Sequence, residues 1–203
     1  MLRTEIINGL IEFNKYQSYL EIGIGDGVNY DNVVCAMKSN VDPGIECHSY
    51  EIKQKIVNVA TSDEFFQKNT EKFDIIFIDG FHEYTQVYRD VKNSLKILNP
   101  GGCILCHDML PPSEWHQRPA SEYNGFQEWN GDCWKAVARL RVEEENLEIY
   151  TIDTDWGVSV IREGRNDKYV ASIDEALTYA FFETHKKELM NVVSTYEFIE
   201  NKL

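Results

Sequence analysis

Residues 73–108 read FDIIFIDGFHEYTQVYRDVKNSLKILNPGGCILCHD, and this stretch decides the fold class. Residues 73–79 are a nearly continuous apolar run, which is typical of a parallel strand buried on both faces. Residues 84–98 then repeat apolar side chains at helical spacing. A Pro-Gly-Gly turn at 99–102 precedes a second apolar run at 103–106. The stretch therefore predicts a strand, a crossover helix and a second, parallel strand.

The same alternation of strands and helices continues on both sides of this unit. It predicts strands at 18–24, 147–153 and 157–162 and helices at 4–14, 29–38, 132–145 and 172–202. A further helix begins at 61–64. Whether the region 45–59 contains a strand is not decided by its sequence. We therefore predict an α/β fold in one domain, 1–203, with a Rossmann-like, doubly wound, mostly parallel sheet and an antiparallel C-terminal edge strand. The long segment 109–131 is interpreted as a lid loop over the acceptor site.

Composition narrows the function classes. The chain has 203 residues, of which 43% are hydrophobic and 27% are charged, and its formal net charge is −14. Such an acidic chain is a poor partner for nucleic acid, whose binding depends on Lys and Arg. No apolar run approaches the ~20 residues of a membrane span, so we expect a cytoplasmic protein without membrane contact. Whether the chain forms a homo-oligomer is not decided by its composition.

Five cysteines, an odd number, argue against a disulfide framework. Cys103 and Cys106 have CxxC spacing, but they lie in a predicted strand, where residues three apart point to opposite faces. We therefore expect them to pack in the core, as free cysteines usually do.

A glycine-rich loop follows the first predicted strand. Glu21 stands two residues before Gly23, and Gly25 and Gly27 complete a GxGxG pattern. Such a loop lets the backbone approach a ligand closely and directs the N–H groups of the next helix at it. The dinucleotide-binding pattern is GxGxxG, so the third glycine arrives one residue early.

Polar residues near later strand ends are candidates for binding a cofactor. Asp42 lies 21 residues after Glu21, where a ribose-binding acid is expected, although an Asp-Pro turn would explain it equally well. Ser62 and Asp63 open a predicted helix, where they could meet an adenine ring. Helix capping is the rival explanation for both.

Two acids end the strands of the opening stretch, Asp79 and Asp108, and His82 follows Asp79 closely. Because ligands of open α/β sheets bind at the carboxyl ends of the strands, these side chains should share one crevice with the glycine loop. A neutral histidine there can act as a general base.

Together these motifs resemble class I S-adenosylmethionine-dependent methyltransferases, in particular the metal-dependent O-methyltransferases of small molecules and sugars. The resemblance covers about residues 18–108. It is carried by the glycine loop, Ile78-Asp79-Gly80, His82, Tyr84, Asp90, Leu95, Pro100-Gly101-Gly102 and His107-Asp108.

The resemblance implies roles for the crevice residues. Asp79 and Asp108 would ligate a metal, with Mg²⁺ suited to oxygen ligands. His82 would be the general base, assisted by Asp79, which would also contact S-adenosylmethionine. His107 stands where some relatives carry a carboxylate, which leaves metal ligation open; Asp132 is a further candidate oxygen donor. The implied acceptor is a sugar hydroxyl, with a phenol second.

Three alternatives remain at this stage. The aromatic residues of the loop, Trp115, Tyr123, Phe126 and Trp129, could bind the acceptor or simply pack the loop against the domain. An NAD(P)-dependent oxidoreductase is disfavoured by the glycine spacing and by the absence of a clear Tyr-x-x-x-Lys pair. A non-catalytic cofactor-binding module would leave Asp79, His82 and Asp108 together without an explanation.

Overall fold

The computed structural model describes residues 1–45, 49–125, 127–165 and 168–201. Cys47 and Phe126, and the end of the predicted C-terminal helix at 202, lie outside the described residues.

The described strands form one eight-stranded sheet in the order β3-β2-β1-β4-β5-β7-β6-β8. The first five strands pair in parallel, β7 is antiparallel to both β5 and β6, and the short β8 is parallel to β6. The strands are β1 (Ser18–Ile22), β2 (Met37–Asp42), β3 (Asn58–Val59), β4 (Phe73–Ile78), β5 (Leu98–Cys106), β6 (Leu147–Ile152), β7 (Val158–Glu163) and β8 (Val192–Val193). The predicted fold class is confirmed.

Helices cover both faces of the sheet. They are α1 (Arg3–Asn14), α2 (Val28–Asn32), α3 (Tyr50–Lys55), α4 (Ser62–Lys68), α5 (Tyr84–Ile97), α6 (Trp134–Glu143), α7 (Ile173–Ala176), α8 (Tyr179–Leu189) and α9 (Thr195–Asn201), with short 3₁₀ turns at Glu114–Gln117 and Ala120–Glu122. Within the described ranges, none of these helices combines the length and apolar character that a membrane crossing requires.

The core consists of two clusters, one on each face of the sheet. Side chains from α1 and α9 fill one cluster, and side chains from α4 to α8 fill the other. Cys103 belongs to the first cluster and Cys106 to the second, and both are fully buried. The predicted opposite orientation of the CxxC pair is therefore confirmed.

The predicted helix at 29–38 is wrong in its second half. Helix α2 ends at Asn32, Val33 is already extended, and β2 begins at Met37, where it pairs with Ser18. Pairing along the whole length of β1 overrides the weak local helical preference. The ambiguous region before residue 60 holds α3, which Ser49 caps, and the two-residue strand β3.

The single C-terminal helix predicted at 172–202 is also wrong, because the chain breaks it twice. Thr178 caps a new helix by accepting a hydrogen bond from the Phe181 N–H. Asn191 then adopts a left-handed backbone (φ 47°), and its side chain donates to the carbonyl of Ile149 at 2.9 Å. These contacts turn the chain so that β8 can join the sheet beside β6.

Candidate active site

The carboxyl ends of the parallel strands open on a cavity of about 890 Å³. Nearly all sequence-predicted site residues line this cavity, and the exception is Gly27, which precedes α2. The predicted residues that line it are Glu21, Gly23, Gly25, Asp42, Ser62, Asp63, Asp79, His82 and Asp108. The expectation that the glycine loop and the strand-end acids share one crevice is therefore confirmed.

The glycine loop forms one wall of the cavity. Gly23 has φ +81°, and a Cβ there would lie 2.3 Å from the carbonyl oxygen of Asp79. Only glycine allows the ends of β1 and β4 to approach so closely. Gly25 has φ +50° and no described atom within 4 Å of its Cβ position, so it leaves open space for a ligand.

Asp42 braces this loop from the end of β2. Its carboxylate accepts hydrogen bonds from the N–H of Ile24 at 3.1 Å and from the N–H of Gly44 at 2.7 Å. The second contact is the Asp-Pro turn considered above, and the first ties Asp42 to the glycine loop. Since a carboxylate can accept about four hydrogen bonds, Asp42 can serve the turn and a ligand together.

The capping explanation for Ser62 and Asp63 is wrong. Thr61 caps α4, because its hydroxyl accepts from the N–H of Glu64 at 3.2 Å. The Ser62 hydroxyl instead accepts from the Gln86 amide at 3.0 Å, inside the cavity. Both residues are therefore available to a ligand.

Glu21 lies beneath the loop and is 1% exposed. Its carboxyl accepts hydrogen bonds from the Tyr19 hydroxyl and from the Asn29 amide at 3.1 Å. Burial disfavours the charged form and raises the pKa of Glu21 to about 8, although both hydrogen bonds act in the opposite direction. Glu21 is therefore mostly protonated at pH 7.

Asp79, His82 and Asp108 meet at the other end of the cavity. His82 lies between the two carboxylates, with Nε2 at 3.3 Å from Asp79 Oδ1 and Nδ1 at 3.4 Å from Asp108 Oδ2. Gly131 fixes this turn, since a Cβ there would lie 1.9 Å from the His82 carbonyl oxygen. The Trp129 ring stacks on His82 with centroids 5.1 Å apart. The 109–131 segment therefore holds the histidine in place.

Sequence reasoning missed a second group of charges around Asp79. Arg3 donates from Nη1 to Asp79 Oδ2 at 2.8 Å and from Nε to Asp155 Oδ2 at 2.9 Å. His107 Nδ1 lies 3.4 Å from Asp79 Oδ1 and 3.2 Å from Asp108 Oδ2. Arg3 and Asp155 are 152 residues apart and belong to no motif, so no local sequence pattern predicts their pairing.

These contacts shift the pKa values of the cluster. Burial alone would raise the pKa of Asp79, but His107 and His82 lower it well below its usual range. Burial would lower the pKa of both histidines. The hydrogen bond to Asp79 and the charge of Asp108 outweigh burial and raise the pKa of His82. The charge of Asp79 and hydrogen bonds to the neighbouring acids likewise raise the pKa of His107. The carboxylate of Asp79 is therefore charged, and both imidazoles hold their protons more firmly than usual.

The 109–131 segment contributes Asn130, which the sequence did not single out. Its amide donates to Asp108 Oδ1 at 2.6 Å, while its Oδ1 is buried and has no hydrogen-bond partner among the described residues. Asp132 was the wrong candidate for an extra oxygen: it accepts from the Tyr84 N–H at 2.7 Å and lines a separate cavity of about 580 Å³. Trp115 also lines that second cavity.

Residues 20–109 match a protein family described as a methyltransferase domain. This stretch runs from the first strand through both strand-end acids. Over this stretch the chain is similar to methyltransferase domains. No curated protein matches the sequence significantly.

Solved methyltransferases share the fold. The chain is similar to a Podospora anserina methyltransferase, PaMTH1, bound to SAH (20% identity, covering 80% of this chain and 78% of that chain, TM-score 0.58). It is also similar to an O-methyltransferase from Bacillus cereus in complex with SAH (16%, 79% and 80%, 0.54) and to the O-methyltransferase TomG from Streptomyces achromogenes, involved in tomaymycin synthesis, in complex with SAM (12%, 79% and 79%, 0.55). The family match and the shared fold agree with the methyltransferase fold that the sequence predicted.

Proposed function

We propose that this methyltransferase transfers the methyl group of S-adenosylmethionine to a hydroxyl oxygen of a small molecule, with His82 as the general base. The observation that carries the proposal is the position of His82. It lies between Asp79 and Asp108 in the same cavity that the glycine loop lines.

The two ends of the cavity suit two different ligands. At the glycine-loop end, Gly25 leaves space, and Asp42, Ser62 and Asp63 offer oxygens that can accept hydrogen bonds from ribose hydroxyls and an adenine amino group. When bound there, S-adenosylmethionine supplies a methyl group on a positively charged sulfur. The acceptor then occupies the end near His82.

Proton removal falls to His82 in this proposal. Nε2 pairs with Asp79, whereas Nδ1 has no hydrogen-bond partner in the described part of the chain. The acceptor oxygen forms its bond to the methyl carbon as the carbon–sulfur bond breaks, and its proton passes to Nδ1. Asp108, 3.4 Å from Nδ1, stabilises the resulting imidazolium.

The donor set also fits a small, hard cation such as Mg²⁺. One oxygen of Asp79 accepts from Arg3 and one of Asp108 from Asn130. The other two, Asp79 Oδ1 and Asp108 Oδ2, both face His82 and His107, and they are the pair that would ligate a cation. Ligand atoms of Asp79, His82 and Asp108 all lie within 4.8 Å of one another. Two carboxylates are a common protein contribution to a magnesium site. A bound cation would lower the pKa of the acceptor hydroxyl.

We favour a sugar as the acceptor. Trp129 and Tyr123 stack with centroids 4.5 Å apart and both line the cavity, as does Trp156. Asp108 and Asn130 line the same cavity, and the Asn130 amide oxygen has no hydrogen-bond partner among the described residues. Aromatic faces together with such polar groups suit a ring that carries several hydroxyls. A phenol would use the same aromatic surface but fewer of the polar groups, and it is therefore the second candidate.

His82→Ala tests the proposal. Turnover, measured as S-adenosylhomocysteine formed with a panel of glycosides and catechols, should fall roughly 10²–10⁴-fold, because a general base contributes about that much. The affinity for S-adenosylmethionine, measured by calorimetry, should stay within about threefold, since His82 lies at the other end of the cavity.

The pH profile gives an independent check on this experiment. His82 must be neutral to accept a proton and its pKa is raised, so wild-type turnover should fall on the acid side with a midpoint above ~6.5. Turnover that His82→Ala leaves unchanged would contradict the base. Stabilisation of the wild type by NAD instead of S-adenosylmethionine would contradict the assignment of the cofactor.

A further inference from the structure

Arg3 is held firmly at the edge of the active site. Asp155 accepts hydrogen bonds from the Arg3 backbone N–H at 2.8 Å, from Nε at 2.9 Å and from Nη2 at 3.2 Å. Helix α1, which begins at Arg3, anchors the backbone because Ile6, Ile7 and Leu10 are fully buried. The guanidinium therefore occupies one defined position, and leaving it would break a two-pronged pairing with Asp155.

From this position Arg3 reaches the carboxylate that the proposed function assigns to the metal. Nη1 donates to Asp79 Oδ2 at 2.8 Å and lies 3.3 Å from His107 Nδ1. Asp79 Oδ1 belongs to the same carboxylate, so any cation bound there would lie within a few ångströms of a permanent positive charge. Arg3 is 28% exposed and Asp79 is 19% exposed, so solvent screens this repulsion only partly.

The charges of the cluster support the same conclusion. Two carboxylates, those of Asp79 and Asp155, pair directly with Arg3, whose guanidinium is permanently charged. Arg3 thus already compensates part of the negative charge of the site. A divalent cation would have to compete with it.

We propose that Arg3 is a built-in cation of the active site, which weakens the binding of a divalent metal at Asp79 and Asp108 and carries part of the charge that the metal would supply. This rests on the proposed function for the identity of the metal ligands. Arg3 is a positioning residue here, because it acts through Asp79.

The binding of Mn²⁺ alone, followed by electron paramagnetic resonance, tests this inference. Arg3→Gln and Arg3→Met both remove the charge, and Arg3→Met keeps most of the aliphatic stem. Both should bind Mn²⁺ at least about tenfold more tightly than the wild type, because a unit charge is removed from beside a dication. Arg3→Lys keeps the charge and should bind within about threefold of the wild type.

Arg139→Gln is the matched control. Arg139 pairs with Glu143 on α6 and does not line the cavity, so its loss changes the net charge equally but should leave the Mn²⁺ affinity unchanged. Neutral variants that fold, as judged by circular dichroism, but bind Mn²⁺ no more tightly than the wild type would overturn the inference. So would an equal gain for Arg3→Lys or Arg139→Gln.

The failure of this inference differs from that of the proposed function. Calorimetry of S-adenosylmethionine with the same variants tests the cofactor site without any metal. An unchanged Mn²⁺ affinity with normal cofactor binding would refute only the role of Arg3. Loss of cofactor binding in the wild type would refute the proposed function.

Discussion

The two ends of the active-site cavity are built in different ways. The proposed cofactor end comprises the glycine loop with Asp42, Ser62 and Asp63, and most of its contacts involve backbone groups or neighbours along the chain. The proposed acceptor end comprises Asp79, His82 and Asp108, and polar and charged side chains from distant segments surround it.

This difference shows which parts of a site a local motif can encode. A backbone loop is specified by its own glycines, since their conformations depend on local sterics. A cluster of charges depends on which side chains the folded chain brings together. Substitutions at the cofactor end should therefore act mainly on folding and cofactor affinity, and substitutions at the acceptor end on turnover.

Gly23→Ala should break this division, because Gly23 joins the two ends. The new methyl group would lie 2.3 Å from the Asp79 carbonyl, at φ +81°. We expect a loss of roughly 4 kcal/mol of stability in urea unfolding, together with loss of turnover. Gly25→Ala, with φ +50° and no described atom near its Cβ position, should cost only about 1 kcal/mol and weaken cofactor binding instead. Equal destabilisation by the two variants would contradict the close approach.

Glu21→Gln should sharpen the comparison, because Glu21 is the buried carboxyl of the cofactor end. Its pKa rises from 4.5 to about 8 on folding, so between these pH values the folded protein holds a proton that the unfolded chain releases. The free energy of unfolding therefore falls as pH rises through this window. The Glu21→Gln variant lacks this loss. Its free energy of unfolding relative to the wild type should therefore rise by about 3 kcal/mol between pH 5 and 8.

Urea unfolding of the wild type and of Glu21→Gln across that pH range measures this difference in the free energy of unfolding. Glu12→Gln, an exposed glutamate on α1, is the matched control and should follow the wild type at every pH. A Glu21→Gln curve parallel to the wild-type curve would show that Glu21 is ionised in the folded protein.

Asp63→Asn should give the smallest effect and confine it to the cofactor end. The carboxylate lines the cavity and lies 3.4 Å from Arg89, so its replacement leaves the fold intact. We expect S-adenosylmethionine to bind about tenfold more weakly, the loss of one charged hydrogen bond. Saturating cofactor should restore turnover, whereas exposed Glu71→Gln should change neither quantity. A fall in turnover at saturation would place Asp63 in the acceptor site.

The sequence predicted the parts of the structure that depend on local patterns. The order of strands and helices, the opposite orientation of Cys103 and Cys106, and the meeting of Asp79, His82 and Asp108 followed from periodicity and from the geometry of parallel sheets. The second break in the C-terminal helix did not, because the Asn191 side chain that stops it contacts Ile149 on the distant strand β6.

The charged surroundings of the acceptor end lay beyond sequence reasoning for the same reason. Arg3 precedes every motif, and Asp155 lies in the tight connection between β6 and β7 with φ 47°. Neither residue has neighbours along the chain that would indicate its role in the site. Their pairing appears only when α1 packs against the sheet.

The two buried thiols of β5 can report how fast the helical layer on each face separates from the sheet. Cys103 packs on the α1 face and Cys106 on the face of α5 and α6, and burial raises the pKa of both thiols, that of Cys103 to about 12. Neither can react with a maleimide until its own layer separates from the sheet. In variants that keep one thiol each, the labelling half-time of Cys103 would report the departure of α1, and that of Cys106 the departure of the opposite layer.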